Sequence, residues 1–193
     1  MKILVNHNTQ NELKMNRIMK TTVAIICALF ILGGCGKWYK DEELTLEKQP
    51  YNGNELRLDG YYYYRLDDGR IWNTYFYYHN GIMLYGIETD TLDENLDKYD
   101  AWFRTKDFLD YIKKSKSRWG LFQIHGDSIV FERLLIDDGG FPVGRFSGNI
   151  LNDTTFVITK EENPYSGNVY RKNELYHFRA LSPKPDSTNM FIP

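Results

Sequence analysis

The sequence predicts a mainly β protein: an antiparallel up-and-down barrel of about eight strands with one short inserted helix, a β-sandwich being the alternative. Three observations predict it. Short runs of β-forming residues are parted by tight-turn pairs such as Asn80-Gly81 and Gly126-Asp127. Apolar and polar residues alternate with period two inside several runs. Aromatic residues are dense, with 15 Tyr, 11 Phe and 4 Trp in 193 residues, and such residues favour strands. Consecutive hairpins suit a closed barrel because closure removes exposed edges.

The elements follow in order. Residues 61–66 are a run of β-formers, and Asp67-Asp68-Gly69 turns the chain, Gly69 being free to take positive φ. Residues 71–79 make the second strand, closed by Asn80-Gly81, and 82–88 the third. Residues 88–100 are acidic and turn-rich. Thr105 then caps a helix over 107–114, with Asp early and Lys late as the helix dipole favours. Phe108, Leu109 and Ile112 are its apolar stripe. Trp119–His125 and 128–136 form another hairpin. Asp137-Asp138-Gly139-Gly140 leads into 143–151, and Asn152-Asp153 into 154–161. A longer loop, 163–167, precedes a last strand over 169–181, expected to be bent or bulged. In 128–136 Ile129, Phe131 and Leu135 share one face, and Val130, Leu134 and Ile136 the other. In 143–151 Phe146 and Ile150 alternate with Arg145, Ser147 and Asn149. In the last strand Tyr170, Tyr176, Phe178 and Ala180 oppose Arg171, Asn173, His177 and Arg179.

The first segment reads as an address. Residues 21–32 are an apolar run of 12 preceded by Lys14, Arg17 and Lys20. That is shorter than the roughly 20 residues a spanning helix needs and suits a signal-peptide core. Leu32-Gly33-Gly34-Cys35 resembles the bacterial lipoprotein signal. The resemblance implies cleavage before Cys35, attachment of diacylglycerol to its thiol and acylation of its new N-terminus, palmitate being the chain expected. Two or more chains give a stable membrane anchor. Cys27 would leave with the signal. Residues 1–14 are polar and unlike a signal start, so translation is expected to begin at Met15 or Met19. Gly36 follows the Cys where some inner-membrane lipoproteins carry Asp, which leans towards the outer membrane. Lys40-Asp41-Glu42-Glu43 is similar to short acidic surface-export signals but lies further from the Cys, so periplasmic and surface faces both stay open.

The expected organisation is a signal peptide over 1–34, a lipidated Cys and flexible tether over 35–55, a barrel over 56–182 and a tail over 183–193. The leader holds 4 of the 24 Lys+Arg and 1 of the 26 Asp+Glu, leaving 20 against 25 and a net charge of −5. That acidity argues against nucleic acid as a partner. A mean hydropathy of −0.53 excludes a multi-span helical membrane protein. Only 2 Cys exclude a disulfide scaffold.

At this point the chain resembles the small lipocalin-like domains of bacterial lipoproteins. Gly60-Tyr61-Tyr62 is similar to their Gly-x-aromatic opening, with Tyr where lipocalins carry Trp. The run from Trp119 to Ile129 resembles their central hairpin, and Arg179 their late-strand Arg packed over the opening aromatic. No nucleophile elbow, phosphate loop, dinucleotide fingerprint or zinc spacing occurs, so no catalysis, metal or cofactor is expected. His79, His125 and His177 read as surface or hydrogen-bonded histidines. Asp90-Thr91-Leu92, Asp127-Ser128-Ile129, Asp153-Thr154-Thr155 and Asp186-Ser187-Thr188 resemble a bacterial O-glycosylation triplet, a pattern also common by chance.

The expected function is non-catalytic binding of a small hydrophobic ligand inside the barrel, at the outer membrane. A protein or glycan partner in the cell envelope is the alternative, which a filled barrel core would favour. Trp72, Phe76 and Tyr78 share one parity and, with Tyr62, are the first ligand-binding candidates. Tyr75, Tyr77 and His79 share the opposite parity, which is nearly as aromatic.

Overall fold

The computed structural model of the protein describes Met19 and residues 41–86, 95–136 and 140–193. Eight strands pair in sequence order: β1 (Gly60–Arg65), β2 (Ile71–Tyr77), β3 (Ile82–Tyr85), β4 (Trp119–His125), β5 (Ser128–Leu134), β6 (Val143–Asn152), β7 (Thr155–Glu162) and β8 (Val169–Ala180). β8 returns to pair with β1 from Gly60↔Ala180 to Tyr64↔Tyr176, so the sheet closes into an antiparallel barrel and is not a sandwich. The last strand is bulged: Ile158 pairs with Glu174 but Lys160 with Arg171, which leaves an extra residue on β8.

Two helices, not one, lie between β3 and β4. α1 (Leu96–Phe103) starts at Asn95, whose side chain accepts from the Asp97 amide at 2.9 Å. Its buried positions, Tyr99 and Phe103, are four apart and share a face. Flanking acidic residues make the segment resemble a loop by composition. α2 (Lys106–Ile112) starts at Thr105, whose hydroxyl accepts from the Phe108 amide at 3.2 Å, and buries Phe108 and Ile112.

Pairing register sorts the aromatic runs into two cores. Tyr62 pairs with Tyr75 and with Phe178, and Tyr77 with Met83, which puts all of them on the inner face. Tyr61, Phe76 and Leu84 point outwards and form a second core with Phe103, Phe108 and Ile112 from the helices. Both faces of β1 to β3 are therefore buried, one by the barrel interior and one by helices. Consecutive aromatic residues suit strands buried on both sides.

The chain on either side of the barrel also packs. Residues 41–55, expected as tether, run against the strands: Glu42 N–H donates to the Phe141 carbonyl at 3.2 Å and Tyr51 N–H to the His79 carbonyl at 2.8 Å. Thr45 and Leu46 are held by Glu132, described below. The segment beyond β8 returns over β2, where the Tyr78 hydroxyl donates to the Pro185 carbonyl at 2.8 Å. Phe191 and Ile192 join the outer core. The packed body thus runs from residue 41 to 193, past the 56–182 that composition suggests on both sides. Leu44, Leu46, Phe191 and Ile192 are sparse among polar neighbours, but each finds apolar surface on the strands.

Candidate ligand site at the barrel mouth

One end of the barrel is closed and filled with rings. Tyr51 and Leu56 cross beneath it and join the inner core. The Tyr62 hydroxyl donates to the Asp153 carbonyl at 2.7 Å and to the Arg57 carbonyl at 3.2 Å, tying strand to crossing segment. Above them the interior rings touch in series. Tyr77 lies 4.8 Å from Phe122, Tyr62 5.1 Å from Phe156 and Tyr75 4.8 Å from Phe131, between centroids. Phe156 stacks on Tyr176 at 4.8 Å and Phe131 on Phe146 at 5.0 Å. Spacings of this order are ordinary for packed aromatic pairs. The floor of the interior is therefore solid side chain.

The interior changes character towards the other end, where β1 leaves and β2, β4, β6 and β8 begin. The Asn73 amide donates to the Tyr176 hydroxyl at 3.2 Å, and the Tyr85 hydroxyl donates to Asn73 Oδ1 at 3.2 Å. Tyr176 in turn donates to Glu174 at 2.9 Å. Lys172 bridges Glu161 and Glu174, at 2.8 and 3.5 Å. Burial pushes the Tyr75 phenol up to about 12, so its hydroxyl stays protonated at neutral pH. Burial likewise raises Tyr176, whose neighbours Tyr75 and Glu174 add to the effect.

Arg133 shares this layer. It follows Ile129 and Phe131 at period two on β5 and so points inwards. Its partners across the two ladders are Gly120 on β4 and Gly144 on β6, and the space beside these glycines is taken by Met83 on one flank and by Leu135 and Phe146 on the other. The guanidinium carbon sits 4.1 Å from the Tyr85 ring centroid and 5.7 Å from that of Phe146. Arg118 approaches Tyr85 as well, at 5.0 Å.

The residues singled out from sequence fall in separate places. Tyr62 lies in the ring-filled floor. Trp72 is 40% exposed on the outer side of β2, while Phe76 and Tyr78 belong to the outer core. The parity of Trp72, Phe76 and Tyr78 thus faces away from the barrel interior, and that of Tyr75 and Tyr77 faces into it. Arg179 pairs with Tyr61 in register, and both bind Asp100: the Tyr61 hydroxyl at 2.7 Å and Arg179 Nη2 also at 2.7 Å. The anchor is therefore between barrel and α1. His79 Nδ1 lies 3.0 Å from the Tyr51 carbonyl, and His125 and His177 are exposed on the outside. Among the described residues no group of three His, Cys, Asp or Glu is arranged to hold a metal ion. Cys35, the rest of the leader, the triplet at 90–92 and the turn at 137–139 lie outside the described residues.

Sequence reasoning passed over Asn73, Tyr85, Arg133, Glu174 and Tyr176. A signal existed for Arg133: it is the single charged residue on the Ile129, Phe131, Leu135 parity of its strand. A separate concavity of about 360 Å³ lies outside the barrel between residues 42–44 and 191–193, walled by Leu44, Trp119, Leu121, Leu134 and Phe191. Compared with protein families, curated proteins and solved structures, the chain matches none of them.

Proposed function

We infer that the protein is a membrane-anchored, non-catalytic binding protein, and that the mouth of its barrel takes a small ligand with an apolar body. Acyl chains on Cys35 tether it to the outer membrane. One observation carries the ligand reading: above a floor of packed rings lies a partly exposed polar layer that includes Tyr85, Arg133 and Glu174. Apolar walls with a few fixed polar groups are how small-molecule sites are built. The filled floor narrows the reading from a chain threaded deep into the barrel to a compact ligand held near the rim.

The same filled floor favours a second reading, a surface that binds a partner in the cell envelope. Val169, Tyr170 and Leu175 are exposed along β8 and would serve it.

Native mass spectrometry of the protein purified from its own host separates the two. A small molecule released on denaturation supports the ligand reading. A mass of polypeptide plus acyl chains alone would overturn it in favour of the partner. Labelling with radioactive fatty acid tests the anchor, and label that persists in Cys35→Ala removes it.

A further inference from the structure

We propose that Arg133 makes the mouth selective for a ligand with one negative charge, a carboxylate on an apolar body. This rests on the reading of the mouth as a ligand site and names the chemistry of what enters it.

The charge on Arg133 has no anionic partner among the described residues. Its Nε is buried and meets no hydrogen-bond acceptor. The two carboxylates of the same layer, Glu161 and Glu174, are engaged by Lys172. What faces the guanidinium is neutral: the Tyr85 ring at 4.1 Å, the Phe146 ring at 5.7 Å and the Tyr75 hydroxyl. Ring faces attract a cation but do not replace a counter-charge or accept its in-plane N–H groups. Arg133 is half-buried with its Nε shielded from water, and an anion that brings its own acceptors offers it the counter-charge it lacks.

Geometry and charge narrow the class. Arginine presents a planar fork that matches a carboxylate in two parallel hydrogen bonds. Gly120 and Gly144, its register partners on either side, carry no side chain that could pair with the fork. The group Glu161, Lys172 and Glu174 carries a net −1 nearby, which opposes a second negative charge on the ligand. An apolar body would rest on the ring floor of Tyr75, Phe131 and Phe146.

The test titrates the full chain with hexanoate, decanoate and 4-phenylbutyrate, each against its own alcohol. Arg133 Nε–H is followed by nuclear magnetic resonance and affinity by calorimetry. A charge-assisted pair predicts a preference for the carboxylate on the order of tenfold, with a shifted Arg133 Nε–H. In Arg133→Met the preference of carboxylate over alcohol disappears, and Arg133→Lys keeps part of it. If alcohols bind the wild type as tightly as carboxylates, or the Arg133 Nε–H does not move, the assignment of Arg133 is overturned and the ligand site stands. That wild-type signal decides the matter even if the variants fail to fold. Tighter binding of the matching phosphonates would overturn the single charge. If no probe of either kind binds, the ligand reading falls, and the selectivity with it.

Discussion

Hydroxyl groups that look alike in sequence differ sharply once folded. Tyr62 and Tyr77 both sit in the inner core, yet the Tyr62 hydroxyl has two carbonyl acceptors while the Tyr77 hydroxyl is buried without a partner among the described residues. Removing an unsatisfied buried hydroxyl is neutral or stabilising, whereas removing a satisfied one costs about 1 kcal/mol. Tyr77→Phe is therefore expected to hold or raise the denaturation midpoint, and Tyr62→Phe to lower it. Equal losses in the two variants would show that Tyr77 has a partner. Lys184 shows a similar effect of place. Its ammonium donates to the Leu58 and Tyr77 carbonyls and lies 4.3 Å from the Tyr78 ring centroid. Burial pulls it down to about 8, Asp59 opposing the shift, from 10.5 in a free lysine. Between those values the unfolded chain binds more protons than the folded one, so the stability of the folded chain rises with pH. The wild type should gain on Lys184→Met as pH rises from 8 to 10.5, and run parallel to it below 8. A gap that narrows on going alkaline would contradict this.

At the scale of elements, the strap over 41–55 depends on one carboxylate. Glu132 on β5 faces out of the barrel and is 0% exposed. It accepts from the Thr45 amide at 2.6 Å, the Thr45 hydroxyl at 2.7 Å, the Leu46 amide at 2.9 Å and Arg145 Nε at 2.7 Å. Removing it strands several buried donors and a cation, and breaking such a pair costs about 3–5 kcal/mol. Glu132→Ala is expected to lose stability on that scale and to speed hydrogen exchange at the Thr45 and Leu46 amides. Exchange unchanged at those amides would show that the strap is held elsewhere. Composition alone reads this strap as tether because its apolar residues are few. Its partner lies 87 positions away in Glu132, where no local pattern reports it. Helix α1 escaped notice for a related reason: Tyr99 and Phe103 gain their meaning only against the outer face of the sheet.

For the whole molecule, closure is the decisive event, and it turns on Gly60. A Cβ there would lie 2.0 Å from the Arg179 carbonyl oxygen and 2.7 Å from the Ala180 Cα, both backbone atoms of the closing strand. Gly60→Ala should cost about 1–3 kcal/mol, the scale of overpacking, with an unchanged slope in urea. An unchanged midpoint would mean the β1–β8 ladder is dispensable.

The strand order, the hairpins and the barrel class were determined by the sequence, because turns such as Asn80-Gly81 and period-two alternation act over a few residues. The sequence also determined that an arginine would sit on the apolar parity of β5. Which parity faces inwards was decided only by tertiary structure. In residues 71–79 both faces are aromatic, so hydrophobicity cannot choose between them. The choice came from register, which set Tyr75 and Tyr77 against Tyr62 and Met83, and from the helices that claimed the outer face with Phe103 and Phe108. The same register placed Arg133 between two glycines, because strand pairing joins residues that no local pattern connects.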